Sequence, residues 1–123
     1  MSWKLIENNL IDPRGGSWPA VSGPWGRGSL PDGIYFIQRP VLTEEKGMID
    51  FHGFGWKARL IPQFNTDRFG LLIHPDGGVP GTKGCIGIRQ PLDTRPLYER
   101  LLITDDRLLI VQNSPKRDAS PEP

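Results

Sequence analysis

Only one cysteine occurs among the 123 residues, at Cys85. A lone thiol makes no internal disulfide and cannot fill a multi-cysteine zinc cage, so Cys85 is either a packed apolar side chain or a reactive group. An excess of one charge is missing too. The 15 Lys and Arg against 14 Asp and Glu leave a formal net charge of +1, which excludes the electrostatic footprint of a nucleic-acid binder. No apolar run approaches the roughly 20 residues that cross a bilayer, which excludes membrane insertion by a helix. Glu7, Asn8 and Asn9 interrupt the opening stretch where a Sec-type signal peptide needs an unbroken apolar segment. The expectation is a soluble chain made in the cytoplasm without a signal peptide.

What is abundant is punctuation. Gly and Pro number 15 and 13, which leaves little room for long helices and predicts short strands joined by turns. The expected fold class is mainly β with one short C-terminal helix, built as one domain over residues 1–113 and followed by a disordered polar tail over 114–123. Strands are expected at Trp3 to Ile6, at Ile34 to Ile37 as a buried run opened by the turn Pro31-Asp32-Gly33, at Met48 to Phe54, and at Trp56 to Ile61. Phe69 to His74 reads as a core strand ended by Pro75-Asp76-Gly77-Gly78. Cys85 to Ile88 and Leu108 to Val111 read as two more. Asp12 to Pro31, crowded with Gly, Pro and Ser, reads as a wandering loop. Pro91 to Leu102 is the helix candidate, capped by Asp93 or Thr94.

The chemistry concentrates on one loop. His74 precedes Cys85 by eleven positions. The intervening Gly77, Gly78, Pro80, Gly81 and Gly84 let the chain fold back and bring base and thiol within reach. A base lowers the barrier to forming the thiolate, which is the reactive species. Gly84 lets a substrate carbonyl approach the backbone, where local amides can form an oxyanion hole. Pro75 keeps its carbonyl, which can accept the second ring N–H of His74 and fix the reactive tautomer. Arg89, four residues after Cys85, shares its face in a strand and is a candidate for holding a substrate carboxylate. Thr82 is a candidate for offering a hydroxyl to the site, and Lys83 for depressing the thiol pKa. His52, among Phe51, Phe54 and Trp56, is read as a packed histidine or, with Trp56, as the wall of a substrate groove.

Ile73-His74, followed by Gly81-Thr82-Lys83-Gly84-Cys85-Ile86-Gly87-Ile88, resembles the active-site signature of YkuD-type L,D-transpeptidases. In that family a histidine precedes a Ser/Thr-x-Gly-Cys element. Gly28-Ser29-Leu30-Pro31-Asp32-Gly33-Ile34-Tyr35-Phe36-Ile37 is similar to the family's G-x-(I/L)-P-x-G-x-Y-x-I strand entry. The resemblance runs from Gly28 to Arg89 and is strongest to a compact branch that includes peptidoglycan-targeting toxins delivered by type VI secretion. It implies a YkuD-like β-sandwich in which Cys85 attacks a tetrapeptide stem with His74 as base, Pro75 as the orienting carbonyl, and the amides of Gly84 and Cys85 at the oxyanion. Thr82, Arg89, His52 and Trp56 are the candidate substrate contacts. It implies no cofactor and no metal. The implied partners are peptidoglycan stem peptides and an immunity or delivery protein, with action in the periplasm or on the cell wall after non-Sec delivery or phage release. Gly87 stands where many family members carry arginine.

Other chemistries fit less well. Only Ile86, Gly87 and Ile88 separate Cys85 from Arg89, too few for the phosphate loop of a cysteine phosphatase, and papain-like enzymes place cysteine before histidine. A zinc peptidase would draw on His52, His74, Asp76 and Cys85. A non-catalytic cell-wall or phage structural module would bury the cysteine and line a binding groove with Trp18, Trp25 and Trp56.

Overall fold

Buried and exposed side chains alternate along the longer strands, and that period of two wraps a single sheet around one core. The computed structural model describes residues 1–23, 28–76, 84–89 and 93–112. Trp25, the loop residues Gly77 to Lys83 (which include Thr82), Pro91 and Leu92, and the tail 114–123 lie outside the described residues. The elements are β1 (Trp3–Ile6), β2 (Asn9–Ile11), β3 (Ser17–Ser22), β4 (Gly33–Ile37), β5 (Val41–Leu42), β6 (Trp56–Pro62), β7 (Leu72–Pro75), β8 (Ile86–Ile88), α1 (Arg95–Ile103) and β9 (Leu108–Gln112). The protein is mainly β with one short helix, in a barrel- or sandwich-like arrangement.

The strand order is β4-β9-β1-β2-β3-β8-β7-β6-β5, and β4 also pairs with β6, so eight strands close into a ring with β5 attached at β6. Closure is possible because β6 divides its edge: its start pairs with β5 through Leu42 and Trp56, and its end with β4 through Phe36 and Ile61. Two pairs are parallel, β1 with β9 and β7 with β8. Trp3 and Leu5, Tyr35 and Ile37, Trp56, Ala58 and Leu60, Ile73, Ile86 and Ile88, and Leu109 and Val111 point inward as the core.

Three local expectations change. Ser17–Ser22 is a strand, not part of a loop: it pairs with β2 on one edge and β8 on the other, so the Gly- and Pro-rich segment contributes the edge that steadies β8. Ile34 to Ile37 is not buried throughout, because the ring gives β4 one wet face and leaves Ile34 and Phe36 exposed. Met48 to Phe54 is not a strand. Asp50 Oδ1 accepts the amides of His52 at 2.8 Å and Phe54 at 3.0 Å, and this side chain bends the backbone into turns that a sheet ladder cannot use. One bridge, Ile49 with Gly55, is all the pairing that remains there.

The helix begins at Arg95, with Pro96 in its first turn where no N–H is needed. Thr94 precedes it without capping it. Its hydroxyl instead donates to Asp50 Oδ2 at 2.7 Å and accepts the indole N–H of Trp56 at 2.8 Å. Asp93 accepts the Arg95 amide at 3.1 Å. Leu97 and Leu101, four residues apart, bury one face of α1. Its Arg100 makes a two-pronged bond to Asp12 just after β2, at 2.6 and 2.8 Å, which ties the helix to the far side of the ring.

Candidate active site

β7 and β8 run parallel with Ile73 beside Ile86, His74 beside Gly87, and Pro75 beside Ile88. Ile73 and Ile86 point into the core, so His74 and Gly87 face the other way. Gly87 carries no side chain, and nothing from β8 crowds the imidazole. Cys85 stands one residue before β8 and two before Gly87. From a strand spacing of about 4.8 Å and a rise of about 3.3 Å per residue, its Cα lies about 8 Å from that of His74. Both residues stand on the same face of the sheet.

The imidazole is held as the sequence suggests. His74 Nδ1 lies 2.5 Å from the carbonyl oxygen of Pro75. A carbonyl only accepts, so Nδ1 carries the proton and Nε2 is the basic nitrogen. His74 is 9% exposed. Burial pushes its pKa below the ordinary histidine value, opposed by the Pro75 carbonyl and by the charges of Asp76 and Glu45. The ring is neutral near pH 7 and ready to accept a proton.

The half-buried thiol rests against the start of β7. Its Sγ is 3.8 Å from the carbonyl oxygen of Gly70. Burial pushes the thiol pKa up, opposed by the backbone N–H of Leu72 and the charge of Arg68. Neutral imidazole and neutral thiol therefore coexist at rest, an arrangement in which a thiolate would form only as the thiol hands its proton to a base. Alkylation of Cys85 by iodoacetamide should accordingly climb continuously with pH to above the ordinary cysteine range. An acidic plateau, the mark of a preformed thiolate and imidazolium, would contradict this arrangement.

Arg68 is the residue that the local sequence hides. Gly84 has φ +122°, and a Cβ placed on it would collide with the Arg68 guanidinium. Gly84 is thus needed for its left-handed backbone, and its missing side chain leaves the space that the end of Arg68 fills. Arg68 donates to the carbonyls of Gly28 at 3.3 Å and Ser29 at 3.4 Å. Ser22, at the end of β3, donates its hydroxyl to the Gly84 carbonyl at 3.3 Å and accepts the Leu30 amide at 2.8 Å. Neither residue falls in a motif near Cys85, so only the fold brings them to it.

The other candidates scatter. Arg89 is exposed just past the end of β8, about 13 Å along the chain from Cys85 at the usual strand rise, and its amide donates to the Pro19 carbonyl. His52 is exposed in the Asp50 turn. Trp56 is a correction: at 0% exposure, with its indole bonded to Thr94, it belongs to the core and has no face for a substrate groove. Among the described residues, no group of three or more His, Cys, Asp or Glu converges as metal ligands would, which removes the geometry that a zinc peptidase requires.

The chain matches no family model, no curated protein and no solved structure. The functional reading therefore stands on the residues themselves. These are a half-buried thiol, a neutral histidine with its tautomer fixed by Pro75, a glycine beside that histidine on the paired strand, and a guanidinium packed on the glycine before the thiol.

Proposed function

We propose that the protein is a cysteine-dependent L,D-transpeptidase or L,D-carboxypeptidase that acts on the tetrapeptide stems of peptidoglycan. The observation that carries this reading is the bond between His74 Nδ1 and the Pro75 carbonyl, which leaves Nε2 as the basic nitrogen on the strand that pairs with the one Cys85 enters. His74 takes the thiol proton as Sγ attacks the carbonyl of the stem's third residue. The amides of Gly84 and Cys85 are the candidates for holding the oxyanion. The C–N bond to the terminal D-alanine breaks, His74 returns the proton to the leaving amine, and a Cys85 thioester remains. Water then releases a tripeptide, and an incoming amine gives a crosslink or an exchanged terminus.

Two of the three tryptophans that the binding-module alternative drew on are placed elsewhere. Trp56 is in the core and Trp18 packs on Trp3 with ring centroids 6.3 Å apart, so neither lines an open aromatic groove. Thr82, Trp25 and the loop between His74 and Gly84 lie outside the described residues and support neither reading. The test is to incubate the protein with defined tetrapeptide muropeptides, with and without a D-amino acid, and to follow products by mass. Loss of D-alanine is expected from hydrolysis, and a mass change matching the added amino acid from exchange. Unchanged tetrapeptide in every condition, alongside a native thiol that reagents can reach, would remove the substrate assignment.

A further inference from the structure

The register across β6, β7 and β8 fixes what surrounds the thiol. Ala58, Ile73 and Ile86 lie side by side and are all fully buried. The neighbouring row, Arg59 beside Leu72, faces outward, and Arg59 is exposed. Cys85, one residue before Ile86, extends that row, which puts Arg59 two strand spacings away, about 10 Å between Cα atoms. Arg68 approaches from the turn before β7 and packs on Gly84.

Between these two arginines is a hollow of about 340 Å³, walled by Arg59, Ile61, Arg68, Phe69 and Gly70. Gly70 in that wall also carries the carbonyl that lies 3.8 Å from Cys85 Sγ, so the hollow and the thiol are neighbours across Gly70. Phe69, 88% exposed, forms an apolar rim. Asp32 lies near enough to Arg68 for both to act on the Tyr35 hydroxyl, yet no acidic side chain is among the described residues of the hollow. Arg68 is fixed by the Gly28 and Ser29 carbonyls, so its charge is placed before any ligand arrives.

We propose that this hollow binds the carboxylate at the C-terminal end of the acyl donor and confines the enzyme to the last peptide bond of its substrate. The substrate half of this statement rests on the stem-peptide reading above. The distances suit it: the leaving residue carries its carboxylate one residue beyond the scissile carbonyl, about 3.5 Å further along the chain. An anion held by Arg59 and Arg68 therefore sets the preceding carbonyl at Sγ. In the step itself the C–S bond forms and the C–N bond breaks. The proton taken from Cys85 passes through His74 Nε2 to the departing amine, and the carboxylate leaves unchanged with its amino acid. Arg59 and Arg68 are specificity residues that bind charge.

Two measurements on the full chain separate this site from the identity of the substrate. The first compares inactivation of Cys85 by iodoacetate and by iodoacetamide, which differ in charge. The ratio of rates should exceed that of a small neutral thiol by about tenfold and fall with added salt. Arg59→Gln and Arg68→Gln should each move it toward the neutral thiol's value, and Arg68→Lys should retain most of it. Arg59 is exposed, so its variant tests the site even if Arg68→Gln disturbs the Gly28–Ser29 contact. A wild-type ratio no greater than that of the neutral thiol overturns the proposal.

The second compares kcat/KM for a tetrapeptide and its C-terminal carboxamide. The acid should be preferred by about tenfold or more, and Arg59→Gln should erase that preference. Equal turnover of acid and amide overturns the chain-end assignment. Turnover of neither, with the iodoacetate preference intact, removes the stem-peptide reading and the chain-end assignment with it but leaves the anion site standing.

Discussion

Replacing Cys85 with alanine should reduce turnover of a tetrapeptide stem by at least about 10⁴-fold, because no other side chain of the site can form the acyl intermediate. The effect should fall on kcat, with substrate binding retained, since the hollow between Arg59 and Arg68 is intact in that variant. His74→Gln should cost less, about 10² to 10⁴-fold, the usual contribution of a positioned general base. The pH dependence distinguishes a base from a packing residue. At rest the thiol is neutral, with its pKa pushed up by burial against the Leu72 N–H and the Arg68 charge. Without His74 the thiolate must form by ionisation into solvent, so residual activity should rise with pH to above the ordinary cysteine range. A His74→Gln variant with wild-type kcat at neutral pH would remove the base assignment. Because His74 is buried, thermal melts of each variant must accompany the rates, and a folded, inactive Cys85→Ala is the expected pairing.

The contact between His74 and Pro75 was legible because it depends on residue type at short range. Pro75 follows His74 directly, so its carbonyl can reach the ring without help from any distant part of the chain, and the Nδ1 contact uses that adjacency. The strands Trp3–Ile6 and Trp56–Pro62 were legible for a related reason: a one-sided sheet writes its alternation into the sequence. β3 was hidden because Gly and Pro around it signal turns, whereas its existence depends on β2 and β8, which pair with it from distant parts of the chain. Arg68 was hidden in the same way. It lies 16 positions before Gly84 in sequence, and only the closing of β6, β7 and β8 puts its guanidinium where a Cβ would otherwise be.

Trp56 misled because an aromatic next to a histidine and two phenylalanines suits a groove as well as a core. What decides is the partner for its indole N–H. Thr94 supplies one 38 residues away, and Asp50 fixes Thr94 in turn. Asp50 was not singled out by any motif, yet it organises this corner.

The largest loss of stability among side chains of this corner should follow Asp50→Ala. Asp50 is 5% exposed, and its carboxylate accepts four bonds: the amides of His52, Phe54 and Thr94 and the hydroxyl of Thr94, at 2.8, 3.0, 3.1 and 2.7 Å. Alanine leaves these donors without their acceptor in a place water reaches poorly, and it frees the start of α1 from the turn before β6. Buried polar groups stranded in this way cost about 1–3 kcal/mol each, and partial rehydration and relaxation of the turn bring the expected total to about 3 kcal/mol. For a chain of this size that lowers Tm by about 10 °C. Asp50→Asn keeps one oxygen acceptor but turns an amide toward donors, so it should fall between wild type and alanine. The pH dependence has a definite sign. Burial pulls the Asp50 pKa up, but the Thr94 hydroxyl and the amides of Phe54, Thr94 and His52 outweigh it and hold it below the ordinary carboxylate value. A depressed folded-state pKa contributes stability that is complete above the unfolded value and is lost as pH falls through the folded one. Asp12, held down by Arg100, titrates in the same direction in both proteins. The wild-type advantage over Asp50→Ala should therefore be constant near neutral pH and shrink below the ordinary aspartate range. A difference in unfolding free energy that stays constant into strong acid would show that the Asp50 charge contributes nothing and that the loss is one of packing alone.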